Sequence, residues 1–350
     1  MKKLMLSFIL LLTTVVAALP TAAHAEEGEV GFSVQAILPE NQVNSEATYF
    51  DLRMSPGQKQ TIQVAIANDS NEDIIYDVNV NQAYTNENGF IDYDKPKSDK
   101  PFDESLKYKV DDLISYDNEV TVPAGETKLV DFQIAMPNES FDGEILAGIQ
   151  VVKDPNRGKD TTGQITNLFA YVTGLRLTMT DTEVARELKV SEIKADTAFG
   201  GSAIMATVIN PTMDAIGKLD YQGVVYQKGD KEGTKQTFEY VGKEMSMAPN
   251  SIYNFAAELG KKALKAGDYV VELKISDAKD NVWEFEEEFT ITAKKAEEVN
   301  KIVLPKTETK AAGPSWIGLA LGVGAGALVS GGLFLYAHLR AGKRKEKLSN

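Results

Sequence analysis

The 350-residue chain has no cysteine and only two histidines, His24 and His338. The first absence removes disulfide scaffolds, thiolate metal sites and cysteine nucleophiles together. The second concerns everything between the hydrophobic terminal segments where those histidines stand. It excludes a Ser-His-Asp triad, a His-ligated zinc and a histidine proton shuttle there. G-x-S-x-G, H-E-x-x-H and P-loop motifs are missing too. Paired carboxylates are the one hydrolytic device left, and no spacing locates them. The Asp-rich turn at 276–281 offers oxygen ligands for calcium without the D-x-[DN]-x-[DN]-G loop. The expectation is a binding protein, not an enzyme, with no metal and no cofactor.

With 43% hydrophobic and 25% charged residues, most of the chain can build a core. The ends read differently. Lys2 and Lys3, an apolar run over 4–19, Pro20 and Ala23-His24-Ala25 have the order of a secretory signal, giving a leader at 1–25. No charged residue occurs over 316–339. As a helix this stretch is about 36 Å long, enough to cross a hydrocarbon core of about 30 Å. Arg340, Lys343, Arg344, Lys345 and Lys347 follow in the tail 340–350, which predicts a cytoplasmic C-terminus and an extracellular N-terminal bulk in a single-pass cell-membrane protein. Gly318, Gly322, Gly326 and Ser330 form a small-residue stripe suited to close helix packing in the membrane. Leu304-Pro305-Lys306-Thr307-Glu308 resembles a cell-wall sorting signal with Glu308 where glycine is usual, so a plain linker is the preferred reading. The net charge is −14, and it deepens to −20 for 26–310 once the leader and residues 311–350 are set aside. Such an ectodomain repels nucleic acid and anionic membrane surfaces.

Between the ends, period-2 alternation dominates, as in TIQVAIA over 61–67, with turn signals at Pro56-Gly57, Asn88-Gly89 and Pro123-Ala124-Gly125. The expected fold is mainly β: two immunoglobulin-like β-sandwich modules, 30–152 and 163–293, then a flexible stalk over 294–315 and a single C-terminal transmembrane helix. The boundary has two placements. Residues 153–163 are either a linker or a hairpin loop, and in the second case the strand over 164–179 returns to the first module and the hinge falls at 181–187. Tyr269, after Leu264-Lys265-Ala266-Gly267, has the setting of a tyrosine corner. The stretch 85–118 interrupts the strand rhythm and carries Phe90, Tyr93, Phe102, Tyr108 and Tyr116. Its rings either pin the loop to its own sandwich or stack on a sugar. Thr85, Asn86, Asn88, Phe90, Asp92 and Tyr93 mix rings with hydrogen-bonding groups and are the candidate contacts, although Asn88-Gly89 also reads as a plain turn.

Several stretches occur in a specific order: Leu38-Pro39-Glu40-Asn41-Gln42, Tyr49-Phe50-Asp51-Leu52, Pro56-Gly57-Gln58, the run from Ala83 to Tyr93, Met136-Pro137, Phe141-Asp142-Gly143 and Gly148-Ile149. This pattern resembles the WxL-interacting proteins of Gram-positive surfaces. The resemblance is specific over 30–152 and mainly architectural over 163–293. It implies a peptidoglycan-binding module, a second, host-binding module and a membrane anchor. It further implies partners among WxL-domain surface proteins and host extracellular matrix, and no catalysis. An extracellular chaperone or assembly factor is the alternative, since two immunoglobulin-like modules can also donate strands to subunits.

Overall fold

A computed structural model describes residues 30–157 and 168–304. The leader, the sorting-like residues 305–308, the membrane stretch with Gly318, Gly322, Gly326 and Ser330, and the basic tail lie outside the described residues. Among the described residues no helix is long and apolar enough to cross a membrane.

The first module contains β1 (Phe32–Ile37), β2 (Phe50–Arg53), β3 (Lys59–Asn68), β4 (Ile74–Gln82), β5 (Tyr84–Thr85), β6 (Ile91–Asp92), the single turn α1 (Val110–Leu113), β7 (Ile114–Tyr116), β8 (Glu119–Val122), β9 (Thr127–Ala135), β10 (Glu144–Lys153) and β11 (Phe169–Thr178). One sheet runs β1-β3-β9-β7 and the other β2-β11-β10-β4-β8. Alternation builds the core between them. Ile62, Val64 and Ile66 point inward from β3, and Phe132 and Ile134 from β9. They meet Tyr76, Val78, Ile149 and Leu175 of the opposite sheet. The phase on β9 is set by Val130, which is buried, while Leu129 faces solvent.

β11 belongs to a sheet of the first module. It pairs antiparallel with β10 along its whole length, and Leu175–Thr178 run parallel to β2. β10 and β11 are thus antiparallel neighbours within the first module, and the strands of the second module all come after Thr178.

The second module contains β12 (Lys189–Ala198), β13 (Gly201–Asn210), β14 (Ile216–Gln227), the turn α2 (Lys231–Thr234), β15 (Gln236–Met247), β16 (Ser251–Gly260), β17 (Gly267–Ser276), β18 (Val282–Ile291) and α3 (Ala293–Val303). Its sheets are β12-β13-β16 and β15-β14-β17-β18. The core centres on Tyr221 stacked on Phe255, with ring centroids 4.6 Å apart. The Tyr269 hydroxyl donates to the Lys265 carbonyl at 3.0 Å, the bond that a tyrosine corner requires.

The expected stalk is corrected over its first ten residues. Residues 294–303 belong to α3, which buries Ala296, Val299 and Val303 against the second core. Spacings of three and four put these residues on one helical face, so burial offsets the polar composition that reads as a linker.

Candidate functional site

The candidate contacts fall on the β5–β6 hairpin, and most of them are already spent. Thr85 is buried between the modules. Its hydroxyl bonds Ser251 Oγ at 2.6 Å and accepts from the Ala248 amide at 3.0 Å. Thr85 thus stands at the junction of the modules, with its hydroxyl engaged there. Asn86 closes the turn: its side-chain oxygen accepts from the Asn88 and Phe90 amides, and its Nδ2 donates to Asp92 at 3.0 Å. Desolvation would raise the Asp92 carboxyl, but hydrogen bonds from Asn86 and from the Tyr93 and Asp94 amides outweigh it and hold the group below its ordinary range. Asn88 and Phe90 are exposed at the tip. Gly89 beside them faces Met245 and Tyr253 of the second module, and the Ser246 amide donates to its carbonyl at 2.7 Å.

The rest of this long segment is a strut. Phe102 bridges to Ser251, the Asp103 amide donates to Asn250, and the Ile252 amide donates to Pro101. The expectation that its rings pin it to its own sandwich holds for Tyr116, which packs on Phe132, and for Tyr108, which packs on Phe141. The segment between them reaches the other module.

Tyr93 is the exception that opens a site. Gly148 of β10 and Gly174 of β11 sit directly opposite each other, leaving a bare strip on the outer sheet face. Tyr93 lies on Gly148, where an added Cβ would come within 2.5 Å of the Tyr93 Cβ. Tyr49 lies on Gly174, where an added Cβ would be 3.5 Å away. The Tyr93 backbone is held by Asn81 Nδ2 at 2.8 Å, and the next residue, Asp94, accepts from Gln150 at 3.1 Å. Burial pushes the Tyr93 hydroxyl up to about 12, so it stays protonated. The ring of Tyr49 is 40% exposed.

These rings wall a groove of about 730 Å³ that continues past Thr48 and Thr173 to Val34 and Ala36 of β1 and to Leu38 just beyond it. The groove exists because two sheet edges stay open side by side. Among the described residues β1 pairs only with β3, and β2 covers only the last four residues of β11. Among the described residues the outer edge of 169–174 has no strand partner. Arg176 stands at one end with its charge committed to Asp51 at 2.9 Å and to Glu144. The groove thus offers ring faces, hydroxyls and free backbone edges, a mixture suited to a sugar or a short peptide and not to an isolated anion. Tyr49 was absent from the candidates. Glycines inside strands 10 and 11 are the signal that could have found it, since they mark close approach by another group.

The second module has a hollow of about 700 Å³ over Gly223, bordered by Glu239, Glu272, Glu284 and Glu286. Phe238, Leu273, Phe285 and Lys274 line it as well, and Glu272 is paired with Lys231 at 2.6 Å. The calcium reading of 276–281 meets a different cation: Asp277 pairs with Arg186 at 2.7 Å, and Arg186 also holds Asp214 at 2.7 Å. Among the described residues no group of acids and histidines could hold a metal.

No curated protein matches the chain. Similar solved structures include the E. coli chaperone DraB, at 12% identity, 75% of this chain, 98% of that one and a TM-score of 0.27. The Pseudomonas aeruginosa CupB2 chaperone shares 13% identity over 67% and 96%, with a TM-score of 0.26. The CsuC–CsuE chaperone–tip adhesion subunit complex of Acinetobacter baumannii gives 10%, 65% and 91%, with 0.29. At such TM-scores these likenesses carry no argument. Family models match most of the chain, in order: WxL Interacting Protein, peptidoglycan binding domain, over 32–153, and WxL Interacting Protein, host binding domain, over 160–301. β11 falls in the second match yet completes the first sandwich, so the groove draws on both segments. The chain therefore belongs to the WxL Interacting Protein family.

Proposed function

We propose that this chain is a non-catalytic, membrane-anchored surface protein that holds peptidoglycan in the groove between β1 and β11. One observation carries the reading: Tyr49 and Tyr93 stand over paired strand glycines beside two open sheet edges. Ring faces stack on the C–H faces of sugars, while hydroxyls and backbone edges serve the polar groups. The bulk is extracellular, 316–339 is the anchor, and WxL-domain surface proteins and host matrix are the protein partners. The test is sedimentation of the detergent-solubilised full chain with purified peptidoglycan. Tyr49→Ala lowers the bound fraction without moving the unfolding temperature. Equal sedimentation of both proteins contradicts the groove assignment.

The assembly-factor reading has its own supporting observation. Phe169, Tyr171 and Val172 are exposed on the half of β11 that lacks a second partner, a setting in which an extended segment of another protein adds as a strand. Under that reading an extended peptide of a surface-protein subunit competes for the edge and peptidoglycan does not.

A further inference from the structure

We propose that the end of the second module turned away from the first docks on an anionic lipid surface. The proposal rests on the reading of 316–339 as a membrane span. The first module meets the second at the end that carries Met213, Ser246 and Asn250. The opposite end is a knot of the β12–β13 tip, the β16–β17 loop and α3. The Ser202 hydroxyl donates to the carbonyls of Gly260 at 3.0 Å and Lys262 at 2.7 Å. Asn300 of α3 accepts from the Leu264 amide at 2.7 Å and donates to its carbonyl at 2.8 Å. From this end the chain continues: α3 stops at Val303, and 304–315 is all that separates it from Trp316. Twelve extended residues span at most about 40 Å.

The chemistry of this end fits a headgroup region. Ala198 pairs with Gly201, so Phe199 and Gly200 form a two-residue turn with φ of 50° and 77°. Such a turn favours Asn-Gly, and a bulky ring at its first position is strained. Yet Phe199 projects 69% exposed, outside the second hydrophobic core, and Ile302 on α3 is 67% exposed. The loop 260–267 holds Lys261, Lys262 and Lys265 and no acid, in an ectodomain whose net charge is −20. These three lysines and Lys301 are exposed and form no ion pair among the described residues; Lys262 reaches only Gln236, at 3.2 Å. The acids nearby are largely occupied. Asp196 pairs with Lys295, Asp268 accepts from Thr290, and Glu298 lies 4.0 Å from Lys294, which leaves Glu297 on the open face of α3. Apolar tips ringed by free lysines are the composition of an interfacial anchor, and the net repulsion of the ectodomain is thereby turned away from the bilayer.

The cysteine-free chain accepts a single label. The full chain with Ala263→Cys, carrying an environment-sensitive fluorophore, is placed in phosphatidylglycerol-rich or pure phosphatidylcholine nanodiscs containing headgroup-quencher lipid. Quenching is expected in the anionic discs and a several-fold weaker signal in the neutral ones. A label at Asn88→Cys stays unquenched in both. Each lysine reversed to glutamate in Lys261, Lys262 and Lys265 lowers the docked-to-free ratio at least about fivefold. Phe199→Asn suits the turn, so it keeps or raises the unfolding temperature while weakening quenching. Absence of quenching at 263 while a label at Gly326→Cys is quenched by acyl-chain probes overturns the docking and leaves the span standing. Absence of quenching at 326 overturns the span and the docking with it.

Discussion

The two modules use the same kind of two-layered fold and finish it differently. In the first, the flank between β1 and β11 stays open, and the side chains that would fill it are replaced by Gly148 and Gly174. In the second, α3 packs on β12 and β13, and Tyr240 ties β15 to β16 across the other flank through the Ala256 carbonyl at 3.3 Å. An open flank costs unpaired backbone and exposed rings, which a free-standing support has no reason to keep. The proposed reading therefore puts the peptidoglycan site on the open flank of the first module and not on the closed flanks of the second.

That contrast can be broken at the support. Arg186 is 12% exposed and neutralises the fully buried Asp277 side chain. Arg186→Ala strands that carboxylate and is expected to cost about 3–5 kcal/mol in chemical unfolding. A loss below about 1 kcal/mol would mean that the pair adds no rigidity. The same pair fixes the acid response. Desolvation acts to raise the Asp277 carboxyl, yet hydrogen bonds from Asn281 and Arg186 hold it below its ordinary range. A lowered folded-state value means that the unfolded chain binds more protons, so this stability is complete above the unfolded value of about 4. It is lost as pH falls through the folded value. Unfolding midpoints are expected to be flat, as far as Asp277 is concerned, from pH 7 to 5 and to drop below about 4. A gain in stability as pH falls from 7 to 5 that Asp277→Asn removes would reverse the sign.

The junction comes next. Thr85→Val leaves the Ala248 amide without its acceptor and Ser251 Oγ without this partner, at about 1–3 kcal/mol, and is expected to speed proteolysis of 86–109. Within the open flank, Tyr49→Ala should weaken peptidoglycan binding about three- to tenfold with little change in stability, because the ring is half solvated and makes one stacking wall. The smallest effect belongs to Phe90→Ala. That ring is 40% exposed at a turn held by Asn86, so stability and binding should both stay within about 0.5 kcal/mol of the parent. A large loss of binding in Phe90→Ala alone would move the site to the hairpin tip.

What the sequence discloses follows how local each feature is. The alternation in 61–67 and the nearly continuous apolar run of 145–152 mark strands 3 and 10. Strands 1 and 2 are six and four residues long, too short to stand out from the turn residues around them. Helix 3 hides because only Ala296, Val299 and Val303 of its eleven residues are buried, and the rest is Lys, Glu and Asn with Ala293 at its start and an isoleucine facing out. The groove is legible in half. Tyr93 belongs to a run of rings and polar groups that reads as a site. Tyr49 gains its role only when Gly174, 125 positions later, comes beneath it. Thr85 and Asn86 read as contacts from the same run, but the fold uses their polar atoms for the junction and the turn.

The central claim is that peptidoglycan lies between β1 and β11, and backbone hydrogen exchange on the full chain tests it most directly. With soluble muropeptide added, the account predicts new protection of amides in 34–38 and 172–174, and none in 86–93. Protection confined to 86–93, or spread over the second module alone, would contradict it.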